Sequence, residues 1–588
     1  MKGGFDWRSL NHDGAPGTGP SSFSFNDIFT RSTPNRTVPG TGASLAGLLL
    51  GYPSGGSMVL ASNFYNYVKY YAGFVQDDFR VTSKVTLNFG LRYEYETGPA
   101  ERSNNFITGF DTERVSPLQS GVPDLKLRGV PLYAGLNGNG THSGNPNGNK
   151  ISPRIGVAWS ITPGTAIRGG YGLFWVPTPF SFQSTLGYSQ STPIVASFDN
   201  NATPAASLDN PFPGGLLRPA GNSAGEGAGI GQDLTFYDRN ARSGYVQQYS
   251  FDIQRQLPSG FVLAAGYIGS KSSHLPQDGR NINQLSPDSY SLGSQLNQSV
   301  PNPLLGKGGV LALGGPTITR SQLLRPFPQF SSVSLSNSDT NRALYHALYM
   351  KVQRRFTDGM TAVATYTWSQ NKDLAYGTTG NSLNTAPASP QNAYDLDAEY
   401  GLSTTHTPHK LALASTYELP FGKGRRMLST NRWLDVAVGG WSANVIATFQ
   451  SGFPLAISQI NNNGVIGSSV QRPNATGASP VTSGPLTDRL DNYINPAAFS
   501  QAPQYTFGNV SRTIGMRGPG IINWDASLFK TFSVTEKLKA QFRAEALNLT
   551  NTPSFYGPNT TFGNPSFGKI TSQANFSRLI QLGVRFYL

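Results

Sequence analysis

The residues most able to do chemistry are few and widely spaced. Six histidines stand at His12, His142, His274, His346, His406 and His409. Only His406-Thr407-Pro408-His409 brings two imidazoles close enough along the chain to share a metal ion. Pro408 forbids a helical pair there, so we read the two as a solvated rim at a loop-to-strand junction and expect no metal. Gly225-Glu226-Gly227-Ala228-Gly229-Ile230-Gly231 and the glycine-rich stretch 135–140 invite a phosphate-cradling role. Such a loop needs a strand before it and a helix after it, whereas both stretches lie in long polar segments, so no nucleotide or other cofactor is expected. The chain has no cysteine, which excludes thiol catalysis, Cys-ligated zinc, iron–sulfur clusters and disulfides. Glu94 and Glu545 are the one carboxylate pair that could serve as acid and base. Arg92 and Arg543 stand two residues away on the same strand faces, which favours ion pairing. No serine, histidine and aspartate fall into a nucleophilic arrangement. We expect no catalytic residue and no enzyme.

What must position these side chains is a set of strands. In 84–95, Val85, Leu87, Phe89, Leu91, Tyr93 and Tyr95 alternate with Thr86, Asn88, Gly90, Arg92 and Glu94. At the end of the chain, Ile580, Leu582, Val584, Phe586 and Leu588 alternate with Gln581, Gly583, Arg585 and Tyr587. Successive side chains leave opposite faces of a pleat, so each strand has one greasy and one wet face. This fits a transmembrane strand, apolar toward lipid and polar toward a lumen. Val85, Leu87, Phe89, Leu91, Ile580, Leu582, Val584 and Phe586 are then expected to face lipid. Arg92, Glu94, Gln541, Arg543, Glu545 and Arg585 are expected to line the lumen.

Connections sort by length. Short turns fall at Thr82–Lys84, Thr162–Gly164, Pro258–Gly260, Thr357–Gly359 and Ser533–Glu536, and long Gly/Asn/Ser/Pro-rich segments at 99–150, 178–241, 273–341, 373–404, 453–519 and 550–576. Short–long alternation is a mark of outer-membrane barrels; a soluble sandwich has no reason for it. The pattern predicts fifteen strands, at 2–9, 22–28, 64–80, 84–98, 151–162, 165–177, 242–257, 260–272, 342–357, 359–372, 405–419, 438–452, 520–533, 536–549 and 577–588. Single-chain bacterial barrels have even numbers. An odd count ending in the periplasm makes 2–9 an inward-running strand, so the chain reads as starting mid-barrel, with seven strands of a 22-stranded wall missing upstream.

Val75-Gln76-Asp77-Asp78-Phe79-Arg80-Val81 followed by Leu87-Asn88-Phe89-Gly90-Leu91-Arg92-Tyr93 resembles the hairpin that recurs in the Oar-like family of TonB-dependent outer-membrane receptors. Ser152-Pro153-Arg154, Arg168-Gly169-Gly170-Tyr171-Gly172, Tyr417-Glu418-Leu419-Pro420-Phe421-Gly422-Lys423-Gly424 and Phe542-Arg543-Ala544-Glu545 extend the resemblance over most of the chain. It implies an all-β, antiparallel transmembrane barrel in the outer membrane, with long extracellular loops and short periplasmic turns, and 1–588 as the barrel domain. It also implies a plug and TonB-coupling segment; these and a signal peptide are expected to be absent here, so TonB would be reached only through a missing N-terminal part. Such barrels usually end in an aromatic residue, where this chain has Leu588.

Composition agrees. Charged residues are 13% and hydrophobic residues 38%, with 67 Gly, 26 Tyr and 34 Phe, a balance suited to many turns and half-buried strands. The net charge of +13 first points to nucleic acid, but the basic residues are scattered, with no run beyond Arg425-Arg426. We expect no nucleic-acid partner; anionic outer-membrane lipid or lipopolysaccharide is the expected partner of a basic exterior, and the transported substrate is not legible. Tyr70, Phe79, Tyr93, Tyr95, Phe586 and Tyr587 are expected to form an interfacial girdle, while Phe180, Phe182, Tyr188 and Phe198 lie in a long loop. The rival readings are a passive porin-like channel or surface adhesin, and a secreted glycan-binding β-protein.

Overall fold

The computed structural model describes residues 1–14, 22–32, 38–146, 148–178, 186–199, 201–307, 315–376, 389–422, 425, 427, 432–468, 470–535 and 538–587. Phe180, Phe182, Arg426, Glu536 and Leu588 lie outside them. Fourteen strands form one antiparallel sheet in chain order: β1 (Lys2–Gly14), β2 (Phe64–Arg80), β3 (Val85–Glu96), β4 (Lys150–Thr162), β5 (Thr165–Trp175), β6 (Tyr245–Gln256), β7 (Phe261–Gln277), β8 (Ser338–Thr357), β9 (Met360–Asp373), β10 (His409–Glu418), β11 (Trp441–Gln450), β12 (Ile521–Ser533), β13 (Lys539–Leu547) and β14 (Leu579–Tyr587). Two two-residue strands, Ala100–Glu101 and Gly401–Leu402, pair with β2 and β9 and bring the sheet to 16 strands. Among the described residues no helix is long and apolar enough to cross a membrane, which says nothing of crossing by strands.

Three expectations are corrected here. The segment 22–28 is not a wall strand: Ser22–Ser24 pairs with Gly55–Ala61 of the same β1–β2 connection in a separate three-stranded sheet, which Ser189–Pro193 of the β5–β6 connection completes. The path through the wall therefore has fourteen strands, not fifteen. Direction changes with the count. Lys2 pairs with Gln76 and Gly14 with Phe64, so β1 rises from the short-turn end, and the parity argument for a mid-barrel start fails. The alternation of connection lengths is also broken once. The β10–β11 link runs from 419 to 440 on the short-turn side and carries the helix Arg432–Val438.

Register fixes the faces. Leu87 pairs with Val157, which shares a row with Gly169, Phe251, Tyr267, Leu348, Trp368 and His409. From the far edge, Leu582 pairs with Ala544, then Leu528, Ala443, Tyr417 and Met360. Met360 and Trp368 are an even number of residues apart on β9, so both rows lie on one face. That face carries the large exposed hydrophobics, Leu91 at 50% and Leu582 at 67% among them, the reverse of a soluble sheet, where such residues pack inward. The opposite face carries the polar set. It is not purely polar, since Ile268 and Ile446 project from it.

Two glycines show why the sheet needs them. Gly266 faces Tyr349, and Gly269 faces Tyr249, across neighbouring ladders. A Cβ at Gly266 would sit 2.7 Å from the Tyr349 ring, and one at Gly269 would overlap the Tyr249 ring. Each tyrosine lies flat over a glycine that leaves it room. Gly73 has nothing within 4 Å of the same position. Gly269→Val is expected to cost about 1–3 kcal/mol through overpacking, and Gly73→Val to be nearly silent, as read from urea unfolding midpoints.

The buried apolar cores do not lie in the wall. Among the described residues one joins Ile107, Phe110, Phe236, Phe327 and Val333, a second joins Leu455, Ile457, Ile494, Phe499 and Ile570, and a small third joins Val122, Leu127 and Leu304. All lie in the long connections, so the loop end carries a folded cap with soluble-type packing.

Candidate functional site

Two hydrogen-bonded clusters of charged residues stand on the polar face of the sheet, one toward each flank. On β1–β3, Arg92 donates from Nε to Glu94 Oε1 at 2.9 Å, and from Nη2 to Tyr70 Oη at 2.8 Å and Asp6 Oδ2 at 3.1 Å. Arg8 Nη2 donates to the same Asp6 oxygen at 2.6 Å. These contacts exist because residues 6, 8, 70, 92 and 94 occupy one face of three adjacent strands. The expected Arg92–Glu94 pair is present. Next to it, the Arg154 guanidinium lies 4.7 Å from the centroid of the Phe174 ring, a cation–π contact.

On β12–β14, Arg543 Nε donates to Gln541 Oε1 at 2.8 Å and Nη2 to Tyr587 Oη at 3.0 Å. Gln541 Nε2 donates to Thr531 Oγ1 at 3.0 Å, and Arg585 stacks 5.0 Å over the Tyr587 ring. Pairing of Arg543 with Glu545 does not occur. The arginine reaches toward the turn, where a neutral amide and a phenol meet it, and Glu545 sits between Ser527 and Gln581. Glu94 and Glu545 are not brought together through the sheet: nine strands lie between β3 and β13 along it.

Two aromatics of the expected girdle lie elsewhere. Tyr70 and Tyr587 project from the polar face and bond Arg92 and Arg543, because each is an odd number of residues from its strand's apolar set. Phe79, Tyr93, Tyr95 and Phe586 are on the apolar face. Tyr188 is buried in the cap, and Phe198 is exposed.

The histidine pair separates by partner. His409 Nδ1 bonds the Tyr366 hydroxyl at 2.8 Å, whereas His406 Nδ1 accepts from the Asn371 backbone N–H at 3.3 Å. Among the described residues no three His, Cys, Asp or Glu side chains gather as a metal site. Gly225 and Gly229 take positive φ in a loop that includes a short 3-10 turn, not at the head of an α-helix. Burial pushes the His406 imidazole down to about 4, with Arg517 adding to the effect. Its folded value lies below the ordinary 6.5, so the unfolded chain binds the proton first. Stability is expected to fall as pH drops from about 6.5 toward about 4, and His406→Gln to flatten that window in urea midpoints measured against pH.

The sequence reading missed the arginines that organise the cap. Arg512 Nε donates to Glu399 O at 2.6 Å, Nη1 to Ala375 O at 2.7 Å, and Nη2 to Asp373 O at 2.8 Å and Asp373 Oδ1 at 2.5 Å. Arg472 pairs with Glu399 at 2.7 Å, both side chains buried. Arg517 Nη1 donates to His406 O at 2.9 Å. All three come from the β11–β12 connection and grip the β9–β10 connection. Below the cap, Lys150 and Glu96 form a fully buried pair at 2.5 Å, and Glu96 also accepts from the Thr178 N–H at 2.8 Å. Arginines inside a Gly/Pro-rich segment of a chain with 13% charged residues were the available signal.

Residues 1–581 match the family model described as an outer membrane beta barrel domain. No curated protein matches the sequence significantly. Among solved structures, the outer membrane transporter YddB from Escherichia coli is 10% identical over 91% of this chain and 47% of its own, with a TM-score of 0.42. The ferric citrate transporter FecA is 10% identical over 89% and 46%, with a TM-score of 0.37. The ferripyoverdine receptor of the Pseudomonas aeruginosa outer membrane is 10% identical over 91% and 40%, with a TM-score of 0.37. The chain thus spans less than half the length of each.

Proposed function

From the premise that this chain belongs to the outer membrane beta barrel domain family and so resides in the outer membrane, we propose that it forms the wall of a TonB-dependent transporter. Val85, Leu87, Phe89, Leu91, Ile580, Leu582, Val584 and Phe586 meet lipid. Arg92, Glu94, Gln541, Arg543, Glu545 and Arg585 line the lumen, and the folded cap meets the solute outside. TonB acts through a plug-bearing segment, and the solute carried is one of the classes such a polar lumen admits.

One observation carries the reading. A single antiparallel sheet exposes its apolar face from edge to edge while its true cores lie at one end. Water would not tolerate that face, and lipid requires it. The edges complete the argument. Among the described residues no ladder joins β1 to β14, and unpaired backbone groups in lipid cost several kcal/mol each. Because β1 rises from the turn end and β14 descends to it, the strands that close the ring come in an even number, eight for a 22-stranded wall.

The chain lacks cysteine, so Phe5→Cys combined with Val584→Cys or Leu582→Cys tests closure cleanly. Added strands keep these positions apart, and efficient disulfide formation would mean that fourteen strands close on themselves. For function, the protein is expected in the urea-washed outer-membrane fraction and to carry no steady current in a planar bilayer when its plug is present. Recovery in the soluble periplasm would overturn the membrane wall, and a steady pore current independent of TonB would favour a passive channel.

A further inference from the structure

The polar face holds a hollow at the middle of β3. Gln76, Gly90 and Arg154 follow one another in a row across β2, β3 and β4. Gly90 is in the middle of the 12-residue β3, away from either rim. Gly266 and Gly269 leave room for a tyrosine ring, but no ring crowds Gly90. A Cβ there would come no closer than 3.7 Å to the side chains of Gln76 and Arg154, so close packing does not require the glycine. Its missing side chain instead opens a space of about 240 Å³, lined also by Phe74, Arg92 and Ser152.

The donors around this space are left over. Arg154 touches the Phe174 ring, and its guanidinium has no hydrogen-bond or ion-pair partner among the described residues. The Gln76 side chain likewise has none. Arg92 engages Glu94, Tyr70 and Asp6 through Nε and Nη2, which leaves its Nη1 without an acceptor. Ser152, opposite Arg92, is 1% exposed, and its hydroxyl has no partner among the described residues. A buried hydroxyl without a partner is costly, and a change of rotamer turns it toward the space it lines.

We infer that this hollow is a subsite for a carboxylate group of the solute. The inference rests on the lumen-facing wall proposed above and gives its solute a chemical class. An ionised carboxylate only accepts hydrogen bonds, so it suits a space surrounded by donors. Its two oxygens match the planar fork of Arg154. A cation entering here would meet two guanidiniums, and a neutral group would leave Arg154 without a counter-charge.

The full chain folded in phosphatidylcholine vesicles can be treated with p-hydroxyphenylglyoxal, which modifies accessible guanidiniums, with and without acetate, and the adduct at each arginine measured by peptide mass spectrometry. Arg154 is expected to react, and acetate to slow it, whereas acetamide, of similar shape without the charge, has no effect. Arg355 stands at the turn end beside Gln254 and Gln256 and should react at one rate throughout. Gln76→Leu is expected to raise the acetate concentration for half protection about tenfold, the loss of one hydrogen bond to a charged group. Gly90→Leu fills the hollow and should abolish protection while Arg154 still reacts. Absence of protection by acetate, equal protection of Arg154 and Arg355, or stronger protection by acetamide or inorganic phosphate would overturn the carboxylate subsite and leave the lumen-facing wall standing. No reaction at Arg154 in wild type would instead overturn the wet lumen face, and the subsite with it.

Discussion

Leu348→Arg is expected to lower the stability of the protein folded in phosphatidylcholine vesicles by about 2–4 kcal/mol. Leu348 is at the middle of the 20-residue β8, between Tyr267 and Trp368 on the apolar face, and is 47% exposed. A guanidinium there has hydrocarbon on every side and no carboxylate opposite it. Leu87 is on the same face but only two residues into β3 from the turn. Leu87→Arg can reach the headgroups and should cost about 0–1 kcal/mol. Asn88→Arg points to the other face, beside Asp78, to which Asn88 Nδ2 donates at 2.5 Å, and should be nearly silent. Urea titration of the three variants in the same vesicles measures the set. Equal losses at 348 and 88 would mean that the faces are assigned wrongly; equal losses at 348 and 87 would mean that depth does not matter, and so that lipid is not the solvent.

These differences trace what was legible in the sequence. Alternation is local, so the faces at 84–95 and 580–588 could be read from a few residues, and the register connects them on one side. Strand identity at 22–28 could not be read that way. Ser22–Ser24 alternates like a wall strand, and only its pairing with Gly55–Ala61 removes it from the wall. Parity amplified that single error into a wrong direction for β1. Tyr70 and Tyr587 were misplaced because nearness to a strand end was weighed without the pleat. The cap was illegible for another reason. Phe110, Phe236 and Phe327 meet from three connections, and Glu399 meets Arg472 across 73 positions. Such contacts leave no period in the chain, because irregular backbone imposes no repeat on side-chain direction.

Arg512→Ala is the second large effect, and it separates the cap from the wall. The guanidinium is fully buried, and its bonds hold Asp373, Ala375 and Glu399, both ends of the β9–β10 connection. Removing it leaves the Asp373 carboxylate and several buried carbonyls without their donor, a loss of about 3–5 kcal/mol for a broken buried pair. Arg512→Lys should rescue little, since a lysine offers a point charge where a planar fork reaches acceptors in several directions. The loss is expected to be local. Hydrogen exchange and proteolysis should accelerate in 389–408 and around Arg472, while amides of β9 and β10 below them keep their protection. The reason is solvent: the cap folds by burying apolar groups away from water, the wall by pairing backbone groups away from lipid, and breaking the first does not expose the second. Loss of protection in the β9–β10 ladder to the same extent would show that cap and wall are one cooperative unit, with the arginines of the β11–β12 connection holding the strands themselves in register.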